Sequence, residues 1–388
     1  MSNKIEKMIA QTFQEIAQGL ETGSFGEMPK IAVAGMDSEH GEGTMLQGAK
    51  SAAQNGIQVV YIGRESDGDL INVNVNSSDE SHKKMDELME NNEVDAAVTM
   101  HYPFPIGVST IGRVVAPGTG KKIYIASTTG TSATDRVESM VKNAVSGIIA
   151  AKACGIKEPT VGILNIDGAR QTEGILKELS SNGYKINFAQ SARADGGCVL
   201  RGNDLLTGSC DVCVTDSLTG NILVKMMSAF TTGGSYESLG DGYGPGIGVG
   251  YDKLVMIISR ASGAPVLSGA IQYAAELVKG DWKAVSKAEH ESANKAGLKE
   301  LINQYKARFE QAKPKEEEKI VMPEKEVVTS EISGIEILDL EDAVSALWKI
   351  GIYAQSGMGC TGPIILVNPK NFEKAVEYLK EEKWLSLN

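Results

Sequence analysis

Short apolar runs alternate with amphipathic stretches over most of the chain. KIAVA (Lys30–Ala34) leads into the polar, glycine-bearing GMDSEHGEG, the helical stretch TMLQGAKSAAQNG and the apolar run IQVVYIG, a pattern that predicts strand, loop, helix, strand. Further strands are predicted at DAAVTM (Asp95–Met100), KIYIAST (Lys122–Thr128), TVGILNI (Thr160–Ile166), CDVCVTD (Cys210–Asp216) and KLVMIIS (Lys253–Ser259), mostly with helical segments between them. Strands apolar on both faces and spaced by helices indicate an α/β fold, a mainly parallel sheet with helices on both faces. Ligands of such sheets sit beyond the carboxyl ends of the strands, so the loops that follow strands hold the candidate chemistry.

Departures from this rhythm suggest the domain plan. Residues 1–29 begin with MSNKIEKMIAQTFQEIAQGL, which reads as an N-terminal amphipathic helix. The α/β domain is expected over 30–312, turning polar and helical between Asp281 and Ala312. Residues 313–330 are a charged linker, KPKEEEKIVMPEKE being broken by Pro314 and Pro323 and without apolar period. Residues 331–388 read as a small C-terminal α/β module: IEIL, the helix-like LEDAVSALWKIGIYA, a loop QSGMGCTG, a strand PIILV and a last helix from near Asn368. GGSYESLGDGYGPGIGVG (Gly233–Gly250) carries eight glycines and is expected to be a loop, either folded over a substrate or flexible at the surface. No Gly-Lys-Ser/Thr follows it, so it is not a P-loop.

With 388 residues, 42% hydrophobic and 23% charged, the chain can bury a large core, and its formal net charge of -12 argues against a nucleic-acid backbone or an anionic membrane as partner. A small anion can still bind locally, because backbone N–H groups do not depend on net charge. No apolar run approaches the roughly 20 residues that span a bilayer, and the N-terminus lacks the pattern of a signal peptide, so a cytoplasmic protein is expected. Five cysteines form an odd set without small-scaffold spacing, which disfavours a disulfide framework. Cys210 and Cys213 make a CxxC, but it lies in a predicted apolar strand with no second ligand pair, so no metal is expected there.

Three places could carry chemistry. In GMGCTGP the glycines Gly357, Gly359 and Gly362 leave Cys360 unwalled, and loop N–H groups, with that of Thr361, could lower its pKa from about 8.5. The alternative is a structural cysteine in a turn. DSLTGNILVK (Asp216–Lys225) follows a strand and opens a helix, which puts Thr219, Gly220 and Asn221 at a helix N-terminus with Lys225 about a turn on, suited to phosphate. Ordinary capping by Ser217 or Thr219 explains the same pattern. His40 and His101 fall in loops after strands, as general bases, anion ligands or structural residues.

CDVCVTDSLTGNILVKM, the glycine-rich stretch, the apolar strand and GAPVLSGAIQYAAELV together resemble the phosphate acyltransferase family over roughly Lys30–Lys279. The whole chain, with GMGCTGPIILV near its end, is similar to the alpha subunits of component C of glycine/sarcosine/betaine reductase complexes. That resemblance implies an acetyl thioester on Cys360, formed from the carboxymethyl group on the selenocysteine of selenoprotein A and cleaved by inorganic phosphate to acetyl phosphate. It implies a beta subunit of component C as partner, assembly into dimers or larger oligomers, and no bound cofactor, phosphate being a substrate. The alternative function is a stand-alone phosphate acyltransferase acting on acyl carrier protein or coenzyme A thioesters, with Cys360 structural.

Overall fold

The computed structural model describes residue 13 and residues 28–192, 196–311, 322–336, 339–359, 362–382 and 384–385. The expected N-terminal helix lies outside them except for Phe13, as do much of the charged linker, Cys360 and Thr361. The chain divides into two compact units, Met1–Asn165 with Gln171–Lys299, and Ile166–Arg170 with Glu300–Asn388.

Among the described residues, the first unit is built on one twelve-stranded sheet. Its strands are β1 (Lys30–Ala34), β2 (Gln58–Gly63), β3 (Ile71–Asn74), β4 (Ala96–Thr99), β5 (Val108–Val115), β6 (Lys122–Thr131), β7 (Thr160–Leu164), β8 (Asn187–Phe188), β9 (Val199–Leu200), β10 (Val212–Val214), β11 (Gly244–Gly248) and β12 (Val255–Ile257). They lie in the order β3-β2-β1-β4-β12-β11-β5-β6-β10-β7-β8, with β9 also on β7. Pairing is parallel except at β12–β11, β11–β5 and β5–β6, so two parallel halves meet across two antiparallel strands.

Helices cover both faces. A Cβ on Gly147, in the helix Arg136–Ala153, would meet Ala126 of β6, whereas one on Gly220, in the helix Ser217–Ala229, would meet Ile125. Successive strand residues point to opposite faces, so these helices flank β6 on its two sides. β4 and β10 are buried throughout and β1 beyond its first residue, as strands covered on both faces must be.

Two strands at the junction depart from the sequence expectation. β11 lies inside the segment expected to be a loop, and all five of its residues are buried. Its glycines are there because neighbouring backbone comes too close for a side chain: a Cβ on Gly244 would lie 1.7 Å from the Ile111 carbonyl oxygen, and one on Gly246 2.3 Å from the Phe104 ring. β5 was not expected, since VSTIGRVV mixes glycine and arginine into its apolar positions. That arginine, Arg113, is 2% exposed and anchors the glycine-rich segment. Its Nε donates to Asp241 at 2.5 Å, its other nitrogens pair with Glu276, and its guanidinium lies 4.0 Å from the centre of the Tyr273 ring. Burial disfavours its charge, but Asp241 and Glu276 more than offset this and hold Arg113 protonated.

In the second unit, β13 (Ser330–Ser333), β15 (Gly362–Val367) and β14 (Ala354–Gly359) form an antiparallel sheet in that order. With the helices Leu340–Lys349 and Phe372–Glu381 it encloses its own core of Ile332, Val344, Leu347, Ile365, Val367 and Leu379. The expected loop before Cys360 is in fact the strand β14, so Gly357 and Gly359 are strand residues. The first strand of this unit, SEIS, precedes IEIL. The β14–β15 hairpin pairs as far as Gly359 with Gly362, and Gly362 has φ of 129°, which L side chains rarely adopt. Cys360 and Thr361 fall between those paired glycines in the sequence.

Candidate functional site

Beyond the carboxyl ends of β1, β4 and β12 lies a cleft of about 450 Å³. The loops after these neighbouring parallel strands supply Glu39, His101, and Ser259 with Arg260; β6 supplies Thr129, and the helix Ser217–Ala229 supplies Asn221 and Lys225. The cleft thus sits where the two parallel halves meet, the place where open α/β sheets bind ligands. Lys225 and Arg260 give it two cations, with Asn221, His101 and the Ser259 and Thr129 hydroxyls as hydrogen-bonding groups and Glu39 as a carboxylate in its lining. Such a set suits a small oxyanion.

The helix that brings Asn221 and Lys225 follows from its sequence. Asp216 is the N-cap, accepting from the Thr219 N–H and the Thr219 hydroxyl, both at 2.9 Å. Asn221 and Lys225 are four apart and share a face. The Asn221 amide donates to the Thr128 carbonyl at 3.2 Å, which fixes the helix on β6. Thr219 and Gly220 do not line the cleft: the Thr219 N–H is used by Asp216, and Gly220 is buried with its Cα facing the Ser127 carbonyl. The cap is neither Ser217 nor Thr219, and an aspartate there puts negative charge where a phosphate was expected.

Behind Lys225 lies a buried carboxylate. Glu237, 3% exposed, accepts from the Tyr243 hydroxyl and the Ser262 hydroxyl, both at 2.7 Å, and its Oε1 stands 3.9 Å from the Lys225 ammonium. That ammonium also lies 5.3 Å from the centre of the Tyr243 ring. Burial, and then the Glu237 charge, push the Tyr243 hydroxyl far above the ordinary tyrosine value, so it remains a proton donor.

His40 and His101 occupy different clefts. His40 lines a larger hollow of about 760 Å³ with Thr44, Gln47, Ser51, Tyr236 and Gln272, its Nε2 3.2 Å from the Ala261 carbonyl oxygen. That hollow has no lysine or arginine in its lining and takes in the carboxylate-bearing Asp241, so the smaller cleft is the better anion site despite its size. Glu39, Thr129, Ser259, Arg260 and Glu237 escaped the sequence reading. For Ser259 and Arg260 a signal existed, since they end and follow a predicted strand, KLVMIIS; Glu237 had none, being one charge inside a glycine-rich run.

The four described cysteines are free and shielded. Cys210 and Cys213, just before and within β10, are wholly buried. Burial pushes the Cys154 thiol up to about 12, and burial followed by the Glu173 carboxylate does the same for Cys198, also to about 12. Neither Cys154 nor Cys198 is poised as a thiolate at neutral pH, and Cys210 and Cys213 are closed off from solvent.

Comparison with known proteins shows the family. A family model described as "Fatty acid synthesis protein" matches residues 29–366. The chain is 55% identical over 379 residues, 97% of its length and 98% of the relative's, to the glycine/sarcosine/betaine reductase complex component C subunit alpha of Peptoclostridium acidaminophilum. It is 25% identical over 249 residues, 55% of its length and 74% of the relative's, to a phosphate acyltransferase of Staphylococcus epidermidis. Among solved structures, a branched-chain phosphotransacylase from Enterococcus faecalis V583 is similar with a TM-score of 0.42 and 15% identity, over 65% of this chain and all of that one. From the family match and the near full-length likeness to the reductase subunit, the chain belongs to the fatty acid synthesis protein family, in the branch of component C alpha subunits of glycine/sarcosine/betaine reductase complexes.

Proposed function

We propose that the chain carries an acetyl group as a thioester on Cys360 and that inorganic phosphate, bound in the cleft of Lys225 and Arg260, releases it as acetyl phosphate. The observation that carries this reading is the cleft itself, two cations and several hydrogen-bond donors gathered at the carboxyl ends of parallel strands. In the reaction a phosphate oxygen attacks the thioester carbonyl; the C–O bond forms, the C–S bond breaks, and the electron pair leaves with sulfur as a thiolate that takes up a proton. Lys225 and Arg260 hold and partly neutralise the phosphate, Asn221 orients it, and His101, which lines the cleft, takes a phosphate proton. The elevated pKa values of Cys154 and Cys198 and the complete burial of Cys210 and Cys213 leave Cys360 as the thiol suited to the carrier role.

In this reading the chain works in the cytoplasm with the beta subunit of component C and with selenoprotein A carrying carboxymethyl-selenocysteine, in an assembly of two or more copies. No helix of the described residues is long and apolar enough to cross a membrane. Leu218, Ile222, Met226 and Phe230 form an exposed apolar ridge on and just past the helix that bears Lys225, which fits a chain that functions in an assembly. The test is kinetic. Lys225→Met and Arg260→Met should each raise the KM for phosphate on the order of tenfold or more, as loss of a charged hydrogen bond does, with the KM of the acetyl donor little changed. Unchanged phosphate dependence in both would remove the cleft from the reaction.

The likeness to a phosphate acyltransferase favours a second reading, transfer from a soluble carrier thioester to phosphate without Cys360. Acetyl phosphate formation that survives in Cys360→Ala with a coenzyme A or acyl carrier protein donor would support it.

A further inference from the structure

Glu237 is not among the residues lining the cleft, yet its carboxylate is the meeting point of the groups around Lys225. Oε1 accepts from the Tyr243 hydroxyl and faces the Lys225 ammonium; Oε2 accepts from the Ser262 hydroxyl. Its backbone is fixed as well, the N–H donating to the Ala261 carbonyl at 3.0 Å and the carbonyl accepting from the Gly263 N–H at 2.9 Å. Those contacts fasten it to the segment after β12 that carries Ser259 and Arg260. Tyr243 is held from the other side, its carbonyl accepting from the Thr128 hydroxyl at 2.7 Å, and Thr128 is the residue whose carbonyl accepts from Asn221. A carboxylate buried this deeply persists only when its lone pairs are met and a cation is near. The donors are two hydroxyls, and Lys225, whose side chain is 53% exposed, supplies the cation.

We infer that Glu237 is a positioning residue for phosphate binding: it holds the Lys225 ammonium over the face of Tyr243 and ties it to the segment bearing Arg260, so that both cations are set before the anion arrives. The inference rests on the phosphate reading of the cleft. A preset cation saves the ordering cost of a long, mobile side chain on binding, so loss of the anchor weakens phosphate binding without touching the acetyl group. Hydroxyl-bearing neighbours make Glu237→Gln a near-isosteric change, since each hydroxyl can also accept from an amide.

The test uses the assembled complex with Glu237→Gln, Tyr243→Phe and Lys225→Met variants. Glu237→Gln should raise the KM for phosphate roughly fivefold, the scale of a partly exposed ion pair, with kcat and the KM of the acetyl donor near wild type. Independently of phosphate, a small amine-reactive ester followed by mass spectrometry should acylate Lys225 several-fold faster in Glu237→Gln, while Lys185, paired with Glu158 elsewhere, keeps its rate. Tyr243→Phe, which removes only one hydroxyl from the carboxylate, should shift both readouts in the same direction by less. A wild-type acylation rate at Lys225 in Glu237→Gln overturns the positioning role, as does an unchanged phosphate KM when Lys225→Met raises it. If Lys225→Met and Arg260→Met both leave the phosphate KM unchanged, the phosphate reading fails instead, and the positioning of Lys225 stands or falls on the acylation rate.

Discussion

The side-chain amide of Asn221 donates to the main-chain carbonyl of Thr128 at 3.2 Å, joining the helix that carries Lys225 to strand β6 beside the cleft. Asn221 therefore has two duties, facing the anion site and holding the helix in place. Asn221→Leu keeps the volume and removes the bond. A part-buried hydrogen bond contributes about 1 kcal/mol, so the phosphate KM should rise about fivefold, measured as acetyl phosphate formation against phosphate concentration.

Gly220 separates packing from ligand binding. A Cβ there would lie 1.8 Å from the Ser127 carbonyl oxygen, backbone that cannot rotate away. Gly220→Ala should therefore cost about 3 kcal/mol of stability or more, as overpacking of a core does, read from urea unfolding. A variant of wild-type stability with weakened phosphate binding would instead make Gly220 a ligand residue.

Gly244 invites the same test at the sheet junction. Its φ is 87° and a Cβ would lie 1.7 Å from the Ile111 oxygen, so Gly244→Ala should give largely insoluble or unfolded protein, seen by circular dichroism of what can be purified.

These two glycines also show what the sequence could and could not reveal. Apolar runs such as KIAVA and IQVVYIG are strands, because a doubly covered strand needs that composition whatever its neighbours. β11 and β14 were hidden because glycine, selected by close backbone approach or by a hairpin, erases the apolar period. At the site, His101, Asn221 and Lys225 were legible from their places after strands. Glu237 was not, since its role depends on Tyr243, Ser262 and Lys225 converging in space, and no spacing encodes that.

Asp211 gives a pH dependence of known sign. Burial opposes its charge, but the Thr160 N–H and hydroxyl and the Lys121 ammonium outweigh that and hold its carboxyl below the usual value. A carboxyl depressed on folding adds stability that is complete above the unfolded value of about 4 and is lost as pH falls through the folded one. The urea midpoint of Asp211→Asn should lie below wild type at pH 6, and the gap should close as pH drops below about 4. A gap that stays constant with pH would contradict the assignment.

The carrier role of Cys360 is tested most directly by incubating the assembled complex with radiolabelled acetyl phosphate, then denaturing it and mapping the label. Protein-bound label that hydroxylamine releases, confined to the peptide bearing Cys360 and absent from Cys360→Ala, is the expected result. Wild-type protein that takes up no label, or label that persists in Cys360→Ala, would contradict it.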